Sequence, residues 1–205
     1  MNKFIIFLYP FFLYANYSVS GPHEVVISVD NFTLSSGQSI EYTFFTPAEI
    51  NHITQVTLVH AFSRNMDSYY ELAEHYASWG LGVITMNLFY SSIFDNDPFQ
   101  DAIDLREVSD YFSNGRPVIY VGHSSGAMRA IVAATEDTNA IAILGLDLTD
   151  GAYEDSDGEF LGLTYARISS IPIWGLLAEP SSCNANGNGI NAVSYTHLTL
   201  PTTLT

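Results

Sequence analysis

The chain is short of positive charge. Of its 205 residues 22 are Asp or Glu and only 6 are Lys or Arg, giving a net charge of −16, and the single lysine is Lys3. A surface of that sign repels phosphates, which argues against nucleic acid and anionic membranes as partners. Its self-repulsion favours solubility, and salt would screen it. Cysteine occurs once, as Cys183, so no disulfide framework or thiolate metal site can be assembled from these residues. In an exported protein a lone cysteine implies either a partner outside this sequence or a buried free thiol. Long apolar runs are scarce as well. The longest opens the chain from Phe4 to Ala15, is interrupted by Pro10, and falls short of the roughly 20 residues a membrane-spanning helix needs.

That opening stretch has another reading. Lys3 supplies a positive start, Phe4 to Ala15 an apolar segment, and Ser18-Val19-Ser20 a small-residue cleavage site before Gly21, the layout of a secretory signal peptide covering residues 1–20. At the other end, Val193-Ser-Tyr-Thr-His-Leu-Thr-Leu-Pro-Thr-Thr203 resembles the translation of a transposon-type sequencing adapter. Residues 193–205 are therefore expected to be a non-native tail on a gene truncated near Ala192. Residues 21–192 remain, with enough apolar material for one domain and too little length for two.

Between those ends the apolar periodicity changes repeatedly. Val25, Ile27 and Val29, then Ile40, Tyr42 and Phe44, alternate around Ser35-Ser36-Gly37 and predict a β-hairpin. Val56 to Val59 is a strand running into His60-Ala61-Phe62. Ser68-Tyr-Tyr-Glu71 reads as a capping box for a helix with a Leu72, Tyr76, Trp79 stripe and a stop at Gly80. Leu81 to Met86, Val118 to Val121, Ala140 to Leu146 and Ile171 to Leu177 are apolar runs suited to strands covered on both faces. Ala102, Leu105, Val108 and Phe112 recur at helical spacing and stop at Asn114-Gly115, and Ala127, Ala130, Ile131 and Ala134 mark a further helix. An antiparallel start followed by alternating strands and helices predicts an α/β fold: a mostly parallel sheet with helices on both faces.

Gly122-His123-Ser124-Ser125-Gly126 matches G-x-S-x-G between an apolar strand and an Ala-rich helix. There a tight turn lifts the serine hydroxyl above the sheet, while small residues two before and two after let strand and helix close up. Ser124 is the candidate nucleophile. A serine hydroxyl needs a base for its proton and donors for the carbonyl oxygen it attacks. The expected oxyanion donors are the backbone amides of Ser125, at the helix start, and Phe62, in the loop after the third strand. Phe62, Trp174 and the Phe89-Tyr90 loop are candidate walls of an apolar acyl or alcohol pocket.

Together with the segments Tyr69 to Gly80 and Leu144-Gly-Leu-Asp-Leu-Thr-Asp-Gly151, the His60-Ala61-Phe62 and Gly122 to Gly126 motifs resemble the chlorophyllase-like α/β-hydrolases. Secreted cutinase-like hydrolases of polyesters and lipid esters are more distantly similar. The resemblance covers most of residues 21–192 and extends to Pro180-Ser-Ser-Cys-Asn-Ala-Asn-Gly-Asn-Gly189, a loop after the seventh strand. Ala61 stands where the family usually has glycine and Ser125 where chlorophyllases often carry arginine, which weighs against chlorophyll as substrate. The resemblance implies an α/β-hydrolase three-layer sandwich, incomplete at the C-terminus, and cleavage of carboxylic esters through an acyl-enzyme.

Chain order in this fold is serine, acid, histidine. Asp147 matches the chlorophyllase acid position and is preferred, Glu179 is the alternative, and Asp150 stands third. The only histidine after Asp147 is His197, inside the suspect tail, so the base is unassigned. His60 and His123 belong to the oxyanion and elbow motifs and are expected to hydrogen-bond locally. No histidine falls in a metal-ligand spacing, and Asp155-Ser-Asp-Gly-Glu159 is only a fragment of a calcium loop. The expectation is a secreted monomer acting on a small or polymeric ester, with no cofactor and no metal. The alternative is a lipid- or ester-binding protein that kept the fold without the catalysis.

Overall fold

The computed structural model describes residues 16–151 and 160–196. Within them a seven-stranded sheet runs in the order β1-β2-β4-β3-β5-β6-β7. β1 (Val25–Thr33) and β2 (Ser39–Pro47) form the predicted hairpin, closed at Gly37 with φ +86°. β2 lies antiparallel to β4 (Gly82–Met86), while β3 (Gln55–Val59), β4, β5 (Val118–His123), β6 (Ala140–Leu146) and β7 (Ile173–Leu176) are mutually parallel. β1 is the outermost strand and most of it lies beyond the covering helices, so Val26, Ile27 and Val29 are exposed.

The helices are α1 (Tyr70–Ser78), α2 (Pro98–Ser113), α3 (Ser125–Thr135), α4 (Leu161–Ile168) and α5 (Ile190–Thr196). Right-handed crossovers put a helix on one face when the chain moves one way across the sheet and on the other when it reverses. The step from β3 to β4 places α1 on one face, over Phe45, Val56, Leu58, Val83 and Val121. The later steps run the opposite way and place α2, α3 and α4 on the other face, over Val59, Ile84, Val118, Tyr120, Ile143 and Ile173. β3 and β5 are neighbours whose following helices lie on opposite faces. The crevice between the ends of such strands is the switch point where ligands of open α/β sheets bind.

Local signals set most helix ends. Asp97 accepts from the Phe99 and Gln100 amides beside Pro98 to start α2, and left-handed Asn114 (φ 49°) ends it. The capping box expected at Ser68–Glu71 does not form. A 3-10 turn over Met66–Tyr69 precedes α1, and Ser68 Oγ donates to Asn65 Oδ1 instead. The buried residues of α1 are the small Ala73, Ala77 and Ser78, with Leu72 and Tyr76 only half-buried. α4 and α5 were not legible in the sequence. α5 continues across the 192/193 boundary with Ala192 and Val193 both buried, the latter against Gly175 of β7.

Residues 16–20 lie against the end of α1, where the Tyr17 and Trp79 rings meet tilted with centroids 4.5 Å apart and the Trp79 indole N–H donates to the Val19 carbonyl. The apolar segment of the signal-like stretch, the Asp155–Glu159 fragment and His197 fall outside the described residues. Cys183 is exposed, so it is not a buried thiol. Among the described residues no helix is long and apolar enough to cross a membrane.

Candidate active site

The C-terminal ends of β3, β5, β6 and β7 line up in register, with Val59 beside Gly122, His123 beside Leu146 and Leu146 beside Leu176. That alignment sets His60, Ser124, Asp147 and Leu177 along one edge. Ser124 takes φ 54° and ψ −125° as β5 turns into α3, a conformation L-residues hold only where the surroundings over-determine it. Here two glycines do so. A Cβ on Gly122 would lie 2.4 Å from the Gly126 carbonyl oxygen, and one on Gly126 would lie 2.3 Å from the His60 carbonyl oxygen. The second contact seats the start of α3 directly on the loop after β3, bringing the Phe62 segment to the Ser124 turn.

Among the described residues neither the Phe62 amide nor the Ser125 amide has an acceptor. The Ser125 amide is free by position, since the first N–H groups of a helix have no intrahelical partner. The Ser125 hydroxyl is itself buried without a partner. The Ser124 hydroxyl donates to Thr149 Oγ1 at 3.3 Å, and the Thr149 amide donates back to the Ser124 carbonyl at 3.2 Å. Thr149 lies in the LGLDLTDG stretch, but sequence reasoning gave it no role.

Both motif histidines are committed to local bonds, as expected. His60 is buried, with Nδ1 2.8 Å from the Ala61 carbonyl and Nε2 accepting from the Leu88 amide at 3.1 Å. Those partners require a neutral ring protonated at Nδ1. Burial holds its pKa below the ordinary histidine value, against the pull of the Ala61 carbonyl. His123 Nδ1 sits 2.7 Å from the Tyr69 hydroxyl, which accepts from the Ala61 amide at 3.2 Å. One phenol thus ties the loop after β3 to the residue before Ser124. Burial lowers the His123 pKa, while the Asp147 carboxylate pulls it up.

The three acid candidates separate clearly. Asp147, at φ 49° after β6, accepts through Oδ1 from the Ala178 amide and from Asn184 Nδ2, each at 3.1 Å. Asn184 is 1 % exposed and fully used: Nδ2 also donates to the Glu179 carbonyl, and Oδ1 accepts from the Ser181 and Gly187 amides. It was missed because its bond to Asp147 spans 37 residues. Asp150 is buried and accepts from the Gly151, Gly162 and Leu163 amides, so it caps α4 and is removed as a triad candidate. Burial raises its pKa against those three donors. Glu179 is exposed, and its carboxylate has no partner among the described residues.

Of the suggested pocket walls, Phe62 and the Phe89-Tyr90 loop lie by this edge, since the Ser63 amide donates to the Ser91 carbonyl at 2.8 Å. Trp174 does not. Its neighbour Gly175 faces α5, so Trp174 projects from the opposite, α1 face of the sheet, where it is exposed. Beside the loop after β3, Ser63, Arg64, Asn65 and Ser68 line a polar cleft.

No protein-family model and no curated protein matches the chain by sequence. Solved structures do match. A protein described as a dienelactone hydrolase from Klebsiella pneumoniae subsp. pneumoniae MGH 78578 aligns over 87% of this chain and 86% of its own, at TM-score 0.65 and 10% identity. The α/β hydrolase GrgF from Penicillium sp. sh18 aligns over 84% of this chain and 86% of its own, at TM-score 0.67 and 13% identity. DcsB, solved with a substrate analogue, aligns over 63% of this chain and 48% of its own, at TM-score 0.55 and 17% identity. The chain has the α/β-hydrolase fold.

Proposed function

We propose that the chain is a serine hydrolase that cleaves carboxylic esters through an acyl-enzyme. The observation that carries this reading is Ser124, held at positive φ on a glycine-enforced turn beside two unpaired amides. In the proposed reaction Ser124 Oγ attacks the ester carbonyl carbon and its proton passes to an imidazole. The Phe62 and Ser125 amides donate to the developing oxyanion, a contribution of about 3–4 kcal/mol per donor in related chemistry. The tetrahedral intermediate expels the alcohol, which takes the proton, and water then releases the acid by the reverse sequence. Asp147 orients the imidazole. No histidine follows Asp147 among the described residues, and chain order in the fold puts the base after the acid.

Support for this reading comes from the elbow, from the fold shared with hydrolases, and from Asp147 being the one candidate carboxylate both held in place and left with a free oxygen. The substrate is a small or polymeric ester, and the protein is a secreted monomer. The alternative, an ester-binding protein without turnover, draws on the Ser124 hydroxyl being bonded to Thr149.

A serine-directed fluorophosphonate decides between them, used with and without added imidazole as an external base. The wild-type chain should be labelled, faster with imidazole, and Ser124→Ala should not. Equal labelling of the two removes Ser124 from its role. Turnover of nitrophenyl acetate should be slight without imidazole, and brisk turnover would assign the base to a residue of this chain.

A further inference from the structure

The segment between β4 and α2 carries an apolar tip that the proposed chemistry does not use. Ile93 is 76 % and Phe94 92 % exposed. Isolated exposed apolar residues are ordinary on soluble proteins, but this pair sits on a backbone built to hold it. Ser91 and Asn96 bridge the base of the tip. Ser92 Oγ accepts from the Phe94 and Asp95 amides, and the Ser92 amide donates to the Asp95 carbonyl. Three of the four amides of the tip are thus bonded within it, while the Ile93 amide and the Ser92, Ile93 and Phe94 carbonyls stay open among the described residues. The turn therefore suits a depth at which its backbone remains hydrated and only the two side chains enter an apolar medium.

The base of the tip is tied to the nucleophile's helix. Arg129 of α3, 1 % exposed, donates to Asp101 at 2.7 Å, to the Tyr90 carbonyl at 3.1 Å, to Asn96 Oδ1 at 3.0 Å and to the Ser125 carbonyl at 3.3 Å. Asp101 also accepts from the Tyr90 amide, and the Ser63 amide reaches the Ser91 carbonyl. One buried guanidinium therefore joins the tip, the helix behind Ser124 and, through Ser91, the oxyanion loop.

We infer that Ile93 and Phe94 form an insertion point that docks the protein on an uncharged lipid-ester surface, bringing Ser124 to substrate in that surface. The inference rests on the ester-hydrolase reading and deepens it by naming how the substrate is presented. Charge argues for an uncharged surface: Asp95 and Asp97 flank the tip in a chain of net charge −16, so anionic headgroups would repel it. Shape argues for a fluid surface. Two side chains on a narrow turn can sink among mobile acyl chains, whereas a solid polymer face or a second copy needs a broad, flat contact.

The test is adsorption of the chain to triolein droplets coated with phosphatidylcholine, measured by flotation for wild type, Ile93→Ser/Phe94→Ser, and Ile53→Ser. Ile53 is 80 % exposed and serves as a control elsewhere on the surface. The double variant should melt like wild type and adsorb at least about tenfold more weakly, given the transfer free energy of two large apolar side chains, while Ile53→Ser adsorbs like wild type. Ser124→Ala should also adsorb normally, so failure of the serine chemistry would leave this result standing. Equal adsorption of the double variant and wild type overturns the inference. So does tighter binding to phosphatidylglycerol vesicles, retention on a polyester film without binding to droplets, or a lipid-free dimer that the double variant abolishes.

Discussion

Two adjacent strand ends solve one backbone problem by different means. Ser124 after β5 and Asp147 after β6 are both non-glycine residues at positive φ, 54° and 49°. The serine is fixed by backbone close-packing. Gly122 and Gly126 leave no room for a side chain, and the constraint closes within five residues plus the neighbouring strand. The aspartate is fixed by side-chain hydrogen bonding, from the Ala178 amide and from an Asn184 whose other bonds order the loop after β7. The Ser124 side should therefore be brittle, failing as a unit. The Asp147 side should loosen locally, with the loop from 178 to 188 moving before the sheet does.

The strongest way to break that contrast is a single methyl group. Gly126→Ala puts Cβ 2.3 Å from a backbone oxygen that cannot rotate away, and should cost about 3 kcal/mol or more in chemical denaturation. Gly145→Ala in β6 is the matched control, since its Cβ would meet nothing closer than 3.4 Å; it should shift stability by less than about 1 kcal/mol. Comparable losses at the two positions would refute the brittle elbow.

Next in size is Asn184→Ala, which strands several buried polar groups and should cost about 2 kcal/mol. Hydrogen exchange at Ala178 and Gly187 should quicken while β5 amides stay protected. Uniform loss of protection would mean that the Asp147 side is not separable.

Tyr69→Phe deletes the hydroxyl joining the Ala61 amide to His123. It should cost about 1 kcal/mol and, by freeing the oxyanion loop, slow imidazole-assisted labelling of Ser124 more than it lowers the melting temperature. A stability loss with unchanged labelling would make Tyr69 purely structural.

The smallest effect sets a baseline outside both regions. Asp104 on α2 is buried, with Oδ2 lacking a partner, and burial first, then Glu107 and Asp97, raise its pKa. A raised carboxyl pKa disfavours the charged form in the folded chain. The penalty is therefore full above the folded pKa and vanishes below the unfolded value of about 3.9. Asp104→Asn keeps the Gln100 bond and should stabilise by about 1 kcal/mol at pH 7. That gain should disappear on titration towards pH 4, and a constant gain would assign it to something other than charge.

The same contrast explains what could be read without coordinates. Strand order of types, the hairpin at Gly37, the stop at Asn114 and the Gly-x-Ser-x-Gly turn were legible because each depends on residues within a few positions. The Ser68–Glu71 box misled because Asn65, just upstream, captures Ser68. The exposure of Val26, Ile27 and Val29 on β1 was not legible, because periodicity reports which side chains share a face, not whether anything covers it. Asp150 and Asp147, three residues apart, look alike in sequence. They differ because the amides that fill Asp150 sit on α4, up to 13 residues on, and because α4 itself went unpredicted.

By itself, then, the sequence determined that a serine would stand at a strand-to-helix turn in a mostly parallel sheet, since glycine spacing and apolar runs act locally on the chain. The tertiary structure alone decided that amides fill Asp150 while Asp147 keeps an open oxygen, that Tyr69 joins two loops, and that Arg129 binds the apolar tip to the serine helix. Those assignments rest on hydrogen bonds between residues tens of positions apart, and only the folded sheet brings such groups within 3 Å or so of one another.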